Sequence, residues 1–195
     1  MSAFRSLTND DYTRLYSVCE ALIIAPRHIP ANHAIQVLIM LLTGIRVGEL
    51  SQLLVSDLFI GDTPVTSLRV RAEIAKTKKE RTIPISSELS GLLKLWYMRH
   101  HSPLHRDGSY WLFPGRGKTG HVSTRQIERS TATISTRALG RAINPHRLRH
   151  TFATRLLKVS NTRIVQVLLG HKSLQSTQIY THPDGEQLQQ AIDRL

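Results

Sequence analysis

The chain is poor in cysteine and in acidic residues, and no hydrophobic run is long enough to cross a membrane. A single cysteine, Cys19, excludes an intramolecular disulfide and is expected to be a core residue. The longest apolar stretch, residues 34–42, contains Gln36 and falls far short of the ~20 residues of a membrane-spanning helix. No secretory signal pattern opens the chain. We therefore expect a protein of a reducing compartment, the cytoplasm or the nucleoid, with no membrane partner.

Acidic residues are scarcest where basic residues are densest. Lys and Arg number 26 against 14 Asp and Glu, which gives a net charge of +12. Residues 116–172 hold twelve of the basic residues and one acid, Glu128, so this stretch alone carries +11. Such one-sided charge is typical of a surface that faces a polyanion. Nucleic acid is favoured over a face charged for solubility, because added acidic residues serve solubility better than arginine.

Length and hydrophobic periodicity predict one globular domain, mostly helical, with one small antiparallel sheet. The chain has 195 residues and is 41% hydrophobic. Residues 68–74 alternate apolar and polar side chains, as a half-buried strand does, and residues 81–85 are expected to return beside them. The turn between them contains three lysines, which gives this hairpin a basic tip. Helices are expected from an N-cap at Thr8, after Pro30, over 47–54, 87–101, 123–139, 145–159 and 162–169, and from about Asp184.

Two local patterns look like functional motifs and are better explained otherwise. Residues 115–119 read Gly-Arg-Gly-Lys-Thr, but a nucleotide-binding P-loop needs a glycine where Leu112 stands, so we expect a loop and no nucleotide. His100, His101 and His105 are close in sequence. No cysteine or carboxylate ligands accompany these histidines, so a polar helix end is favoured over a metal site.

Three segments hold the residues that could carry chemistry. Residues 43–50 read Thr-Gly-Ile-Arg-Val-Gly-Glu-Leu, residues 146–154 read His-Arg-Leu-Arg-His-Thr-Phe-Ala-Thr, and residues 168–171 read Leu-Leu-Gly-His, with Tyr180 nine residues further on. His146 and Arg149 are three residues apart, so a helix would present both side chains together. Taken alone, a His-x-x-Arg pair or a single tyrosine is more often surface or packing.

Together with Lys-Thr-Lys-Lys-Glu-Arg at residues 76–81, these segments resemble the tyrosine recombinase, or phage integrase, family. They occur in the family's order and extend over residues 43–182. The resemblance implies the tyrosine recombinase catalytic-domain fold, mainly α with a small antiparallel β-sheet. It also implies site-specific DNA recombination or integration, in which a tyrosine attacks the scissile phosphodiester to form a 3′-phosphotyrosine intermediate, followed by strand exchange and religation. The family includes phage integrases, recombinases that resolve chromosome dimers and enzymes of other mobile elements.

The resemblance also assigns roles to individual residues. Arg46 and Arg149 would hold the scissile phosphate, and Tyr180 would be the nucleophile. Lys76 would be the general acid for the leaving 5′-oxygen. It is the first lysine of the hairpin run and is preferred to Lys78 or Lys79.

Two histidines complete the catalytic set that the resemblance implies. His146 belongs to the His-x-x-Arg segment and is the candidate base, and His171 is the second histidine. Further contacts with double-stranded DNA are expected from Lys78, Lys79, Arg81, Arg116, Lys118, Arg125, Arg147 and Lys172.

The chemistry explains why these residue types are needed. Transfer of a phosphodiester builds negative charge on the non-bridging oxygens, and a planar guanidinium can bind two of them at once. Tyrosine has an ordinary pKa of ~10, so its attack at neutral pH needs a base or a strongly positive surround. The phosphotyrosine conserves the energy of the diester, so no ATP is required. Because arginine and lysine neutralise the phosphate, no metal or other cofactor is expected.

The ends of the chain depart from the family's usual pattern or extend it. Family members usually carry a helical DNA-binding domain first, so residues 1–195 are expected to be the catalytic domain without that core-binding domain, as a fragment or as a reduced lineage. Residues 184–195 are expected to form a helix with one apolar face. That helix would dock on a neighbouring protomer of a DNA-bound homotetramer, fold back on its own chain when the protein is a free monomer, or simply pack on its own core.

Two other functions are compatible with parts of the pattern. A type IB topoisomerase uses similar residues to relax DNA, but the Leu-Leu-Gly-His segment followed by Tyr180 favours a recombinase. A non-catalytic DNA-binding module would be expected to lack part of the catalytic set, and no member of the set is missing.

Overall fold

The computed structural model describes residues 6–100, 110–170 and 185–195, and it has the mostly helical architecture that the periodicity predicts. A short 3-10 helix, Val55–Asp57, follows the third α-helix in the chain. The elements in chain order are α1 (Asn9–Ile24), α2 (His28–Thr43), α3 (Val47–Leu50), β1 (Phe59–Ile60), β2 (Thr63–Pro64), β3 (Ser67–Val70), β4 (Arg81–Pro84), α4 (Ser87–His100), α5 (Thr124–Leu139), α6 (Pro145–Val159), α7 (Thr162–Leu169) and α8 (Gly185–Asp193).

Helix α2 is the centre of the molecule. It is apolar on almost every side, and the side chains of Ile35, Leu38 and Ile39 are fully buried. Helices α1, α4, α5 and α6 pack around it. The helix begins two residues before Pro30 rather than after it, because an amide is not needed in the first turn. It ends at Thr43 and is capped by Gly44, whose φ of +63° is the left-handed conformation that glycine adopts without strain.

The structure contains two two-stranded antiparallel sheets, not one, within the described residues. The predicted hairpin is present, with Leu68 paired to Ile83 and Val70 paired to Arg81. Its first strand ends at Val70 rather than continuing to residue 74, because the chain turns helically there and the Ala75 amide donates to the Arg71 carbonyl at 3.0 Å.

The second sheet, β1 with β2, was not predicted. Ile60 pairs with Thr63, so Gly61 and Asp62 form a two-residue turn, and Gly61 has a φ of +59°. A Gly-Asp pair is a known hairpin signal. Two-residue strands are too short for an alternating pattern to reveal.

Four helices begin at capping residues that the sequence offers. Thr8, Ser123, Asn144 and Asn161 each accept a backbone hydrogen bond at an N-terminus, and the predicted bounds of α6 and α7 are confirmed. Helix α3 is shorter than the predicted helix over 47–54 and ends at Leu50. No helix in the described ranges has the length and apolar character needed to span a membrane.

Helix α8 lies against its own chain, which is one of the arrangements expected for the tail. It contacts β4, α6 and α7, and Leu188, Ala191 and Ile192 are buried. Arg155 of α6 donates to the Leu195 carbonyl at 2.7 Å and covers the Tyr12 ring at 3.9 Å. The apolar face predicted for this helix is therefore confirmed.

Candidate active site

The first arginine of the predicted site stands at the start of α3. Gly44 turns the chain at the end of α2, and Arg46 becomes the N-cap of the next helix. The Arg46 amide donates to Glu49 Oε2 at 3.0 Å, which is half of a capping box. Arg46 Nη1 reaches Glu49 Oε1 at 3.3 Å, and its side chain is 25% exposed. The local backbone therefore fixes Arg46 at the surface of a cleft.

Glu49 is the buried carboxylate on which this part of the site is built. Its side chain is 2% exposed, and it accepts both arms of the Arg81 guanidinium, at 3.0 and 2.6 Å. Burial would raise the pKa of Glu49, but the hydrogen bonds and charges of Arg81 and Arg46 outweigh burial and lower it. The carboxylate is therefore ionised at neutral pH. Sequence reasoning did not single out Glu49, although its place at the third helical position after an N-cap is a recognisable signal.

Arg149 is the second arginine of the predicted site and is buried on α6. Asn144 caps this helix and Pro145 occupies its first turn, which fixes its start. Arg149 Nη1 donates to the Gly44 carbonyl, and Nη2 donates to the Leu169 carbonyl at 2.7 Å. Burial and the neighbouring charge of Arg46 lower the pKa of Arg149 to about 9, so the group is still a cation at neutral pH.

Three arginines bind the last carbonyls of α7. The Leu169 carbonyl accepts from Arg149 and also from Arg46 Nη1 at 3.3 Å, and the Leu168 carbonyl accepts from Arg81 Nε at 3.1 Å. The final carbonyls of a helix have no partner within it and carry its negative dipole end, so cations are favourable there. These bonds fix the point from which the chain leaves toward residue 171.

Four of the six predicted catalytic residues line one cleft of about 560 Å³. They are Arg46, Lys76, His146 and Arg149, and they come from three separate segments of the chain. His146 stands one turn before Arg149 on α6, as predicted. His171 and Tyr180 lie outside the described residues.

The hairpin lysines occupy different positions. Lys76 lines the cleft, with its side chain exposed to solvent. Lys78 and Lys79 are exposed at the hairpin tip, where Lys78 has a φ of +55° and donates its amide to the Ala75 carbonyl at 2.9 Å.

The other residues predicted to bind DNA lie in different surroundings. Arg116, Lys118 and Arg125 are exposed, whereas Arg147 is half-buried and Lys172 lies outside the described residues. Arg81 is placed differently from the expectation, since its side chain is 8% exposed and its guanidinium binds Glu49 and Leu168. It shares a strand face with buried Ile83, and that two-residue spacing could have indicated an inward direction.

The P-loop-like segment and the group of histidines show no functional arrangement among the described residues. Residues 115–119 form a loop, as predicted, and the Gly115 amide donates to the Gly120 carbonyl at 2.9 Å. His100 is at the end of α4 but is buried, with Nε2 3.1 Å from the Ile23 carbonyl, while His101 and His105 lie outside the described residues. Among the described residues, no group of three or more His, Cys, Asp or Glu could hold a metal ion.

The geometry suits an anion with several oxygens. A guanidinium has five N–H donors, and the hydrogen bonds of Arg149 to described residues use two nitrogens that each carry a second hydrogen. Arg46 is partly exposed beside it. Two fixed guanidiniums at one cleft can stabilise charge that develops on a phosphoryl group, because they are oriented before it binds.

Comparison with known proteins gives consistent findings. Residues 5–187 match the profile described as the phage integrase family. The chain is 36% identical over 157 residues to tyrosine recombinase XerC of Haemophilus ducreyi, covering 80% of this chain and 49% of that protein. It is 35% identical over 196 residues to tyrosine recombinase XerD of Rhizobium meliloti, covering 96% of this chain and 60% of that protein. The chain thus spans about half the length of the relatives it matches.

Solved structures show the same likeness. An integrase from mycobacterium phage Brujita is 26% identical with a TM-score of 0.69, covering 100% of this chain and 59% of that one. The crystal structure of XerA recombinase is 27% identical with a TM-score of 0.66, covering 95% of this chain and 63% of that one. The expectation of this family's catalytic-domain fold is confirmed.

Proposed function

Because the chain belongs to the phage integrase family, we propose that it is a tyrosine recombinase that cleaves and rejoins DNA at a specific site. The observation that carries the proposal is the convergence of Arg46, Lys76, His146 and Arg149 on one cleft. They come from three segments that are distant in sequence, and each has a residue type that phosphoryl transfer needs. The position of Lys76 in that cleft supports it over Lys78 and Lys79 as the catalytic lysine.

The reaction begins with attack on the scissile phosphate. Arg46 and Arg149 bind its non-bridging oxygens, and the Tyr180 oxygen attacks phosphorus as its proton passes to a base, for which His146 is the candidate. A 3′-phosphotyrosine bond forms while the bond from phosphorus to the 5′-oxygen breaks. Lys76 gives its proton to that leaving oxygen, which departs as a 5′-hydroxyl. His171 is proposed to complete the phosphate contacts.

Rejoining is the reverse reaction with a different strand. A 5′-hydroxyl from the partner duplex attacks the phosphotyrosine and gives its proton to Lys76. The bond from phosphorus to the Tyr180 oxygen breaks, and the base, for which His146 is the candidate, returns its proton to that oxygen so that the Tyr180 phenol is released. One diester bond is broken and one is formed at each step, so no ATP is consumed. The arginine and lysine side chains of the site neutralise the negative charge of the phosphate throughout both steps.

Trapping of the covalent intermediate tests the proposal. We would incubate the chain with nicked duplexes of randomised sequence, in which cleavage releases a short fragment and traps the adduct, and then sequence the DNA that remains bound after denaturation. The wild type is expected to yield an adduct at a defined sequence, and Tyr180→Phe is expected to yield none. Absence of adduct across the whole pool, or an adduct that persists with Tyr180→Phe, contradicts the proposal. Plasmid relaxation without exchanged products would instead indicate a topoisomerase.

The proposed partner is double-stranded DNA, bound by a homotetramer. Exposed Arg116, Lys118 and Arg125 supply phosphate contacts outside the cleft. For assembly, we propose that α8 leaves its own chain and docks on a neighbouring protomer, since its buried face is small and apolar. Deletion of residues 184–195 is expected to abolish tetramers on DNA and strand exchange. Unchanged assembly and exchange would show that α8 serves only its own core.

A further inference from the structure

The loop that carries Lys76, residues 71–80, is anchored at both ends by an arginine. At one end, Arg71 Nε lies 3.0 and 2.9 Å from the two carboxylate oxygens of Asp57, and Arg71 Nη2 donates to the Gln52 carbonyl at 2.7 Å. At the other end, Arg81 binds Glu49. Both anchors are on residues 49–57, the segment that begins in the Arg46 helix. The loop is therefore tied to the part of the chain that presents Arg46.

Asp57 is a rigid anchor for the first of these pairs. Its side chain is 2% exposed, and Oδ2 also accepts the Leu54 amide at 2.9 Å. Arg71 is 19% exposed, so the pair is largely shielded from water. A shielded ion pair with several hydrogen bonds holds a narrower geometry than an exposed pair does. Arg71 therefore has little freedom to move.

The backbone carries this restraint toward Lys76. The amides of Ile74 and Ala75 donate to the Arg71 carbonyl at 3.3 and 3.0 Å, so one helical turn connects Arg71 with Ala75. Ala75 is buried, and Lys76 follows it directly. The Lys78 amide then closes a turn on the Ala75 carbonyl at 2.9 Å. The side chain of Lys76 is exposed and lines the cleft, so its location depends on this short, bonded path from Arg71.

We propose that Arg71 and Asp57 form a positioning pair that places the Lys76 ammonium against the leaving 5′-oxygen. The inference rests on the proposed function of Lys76 as general acid. Proton transfer requires donor and acceptor within hydrogen-bond reach, and a misplacement of ~1 Å can lower a rate by ~10²-fold. Arg71 is separate from the contacts of Arg46 and Arg149, so its loss should affect protonation of the leaving group and spare phosphate binding.

A change of leaving group separates these two effects. The probe is a suicide duplex of the sequence recovered by covalent capture, made with either the natural 5′-oxygen or a 5′-sulfur at the scissile bond. A thiol has a pKa of ~8.5, far below that of an alcohol, so the sulfur leaves without a proton. A defect in general acid catalysis is therefore corrected by sulfur, whereas a defect in phosphate binding is not. Lys76→Ala and Arg149→Lys are the two reference variants.

Two variants perturb the positioning pair without leaving a lone buried charge. Arg71→Lys keeps the charge but has one nitrogen in place of the Nε and Nη2 that bind Asp57 and the Gln52 carbonyl. The double variant Asp57→Asn/Arg71→Gln removes both charges. The matched control is Arg69→Gln, which removes an exposed ion pair with Glu80 in the same hairpin. Thermal unfolding of each variant verifies that the fold is kept.

We expect both Arg71 variants to cleave the oxygen substrate about tenfold to a hundredfold more slowly than wild type, and the sulfur substrate within about twofold of wild type. Arg69→Gln should match wild type on both. An equal loss on oxygen and sulfur, or no loss on oxygen, would overturn the positioning role while leaving the recombinase function standing. If the wild type cleaves neither substrate, the proposed function is overturned and this inference with it. If the 5′-sulfur does not correct the defect of Lys76→Ala, the role of Lys76 as general acid is overturned.

Discussion

Loss of the Glu49 carboxylate is expected to destabilise this fold strongly, and the substitution Glu49→Gln tests that expectation. The Glu49 side chain is almost fully buried and accepts four hydrogen bonds, two from Arg81, one from the Arg46 amide and one from the Arg46 side chain. Glutamine has nearly the same shape. However, the glutamine nitrogen cannot accept a hydrogen bond, so the donors of Arg81 and Arg46 that face it lose their acceptor. The Arg81 guanidinium is also left as a buried charge without a counter-ion.

The expected cost follows from these contacts. Each charge-assisted hydrogen bond contributes about 1.5–3 kcal/mol, and about two are lost. Removal of one partner of a buried ion pair costs about 3–5 kcal/mol, which agrees with that figure. With a urea m-value of about 2 kcal/mol per molar, the unfolding midpoint should fall by about 1.5–2.5 M.

The stability difference between wild type and Glu49→Gln should also depend on pH, which gives a second, independent test. The pKa of Glu49 is lower in the folded protein than its ordinary value of 4.5, so its contribution to stability is complete above that pH. The contribution is lost as the pH falls through the lower, folded pKa. Glutamine does not titrate, so the gap between wild type and Glu49→Gln should be widest near neutral pH and should narrow in acid.

The assay is urea unfolding followed by circular dichroism at pH 7 and at several values below 4.5. The double variant Glu49→Gln/Arg81→Met removes the stranded charge and should unfold at higher urea than Glu49→Gln alone. A midpoint within about 0.5 M of wild type at pH 7, or a gap that does not narrow in acid, would refute the reasoning.

Three further outcomes are expected. Gly44→Ala should lower the free energy of unfolding by more than about 2 kcal/mol in thermal denaturation. A Cβ at this position would overlap the Phe152 ring and approach Leu169 Cδ2 to 2.8 Å, and the alanine would need a φ of +63°. The control Gly91→Ala, on α4, places its Cβ in open space and should not destabilise the fold. Arg149→Lys should slow single-turnover cleavage by about 10²–10³, because a lysine cannot bind the Gly44 and Leu169 carbonyls and a phosphate together. A rate near that of wild type would contradict the role of Arg149 in binding the scissile phosphate. Replacing exposed Arg116 or Lys118 with Gln should weaken DNA binding and reduce the slope of log K against log salt by about 1 in titrations at several salt concentrations, and an unchanged slope would mean that the residue makes no phosphate contact.

Local features of the chain made much of the fold predictable. The bounds of α6 and α7 follow from caps at Asn144 and Asn161 and from apolar residues at helical spacing. Helix α2 is buried because it is apolar on all sides. The strand predicted over 68–74 was too long, because a helical turn of the backbone at Arg71 interrupts an alternation that the residue types alone continue. The strands β1 and β2 have two residues each, which is too short for an alternating hydrophobic pattern to be recognised.

The candidate site divides in the same way. Arg46, Lys76, His146 and Arg149 were identified from motifs, and the structure places them on one cleft. Glu49 was passed over, although it lies within the same motif. Arg81 was expected to contact DNA, but its side chain faces inward, on the same side of β4 as Ile83, and binds Glu49.

The sequence by itself determined which residue types are available and which of them share a helix, because caps, glycine breaks and periodicity act within a few residues. Only the tertiary structure decided which charged groups meet. Arg81 meets Glu49 across 32 residues, Arg46 meets the Leu169 carbonyl across 123, and Arg71 meets Asp57 across 14. These partners are selected by burial, since a carboxylate or a helix-end carbonyl that loses water must find a donor among whatever the packing brings near. That selection depends on the arrangement of the whole chain, and no local pattern records it.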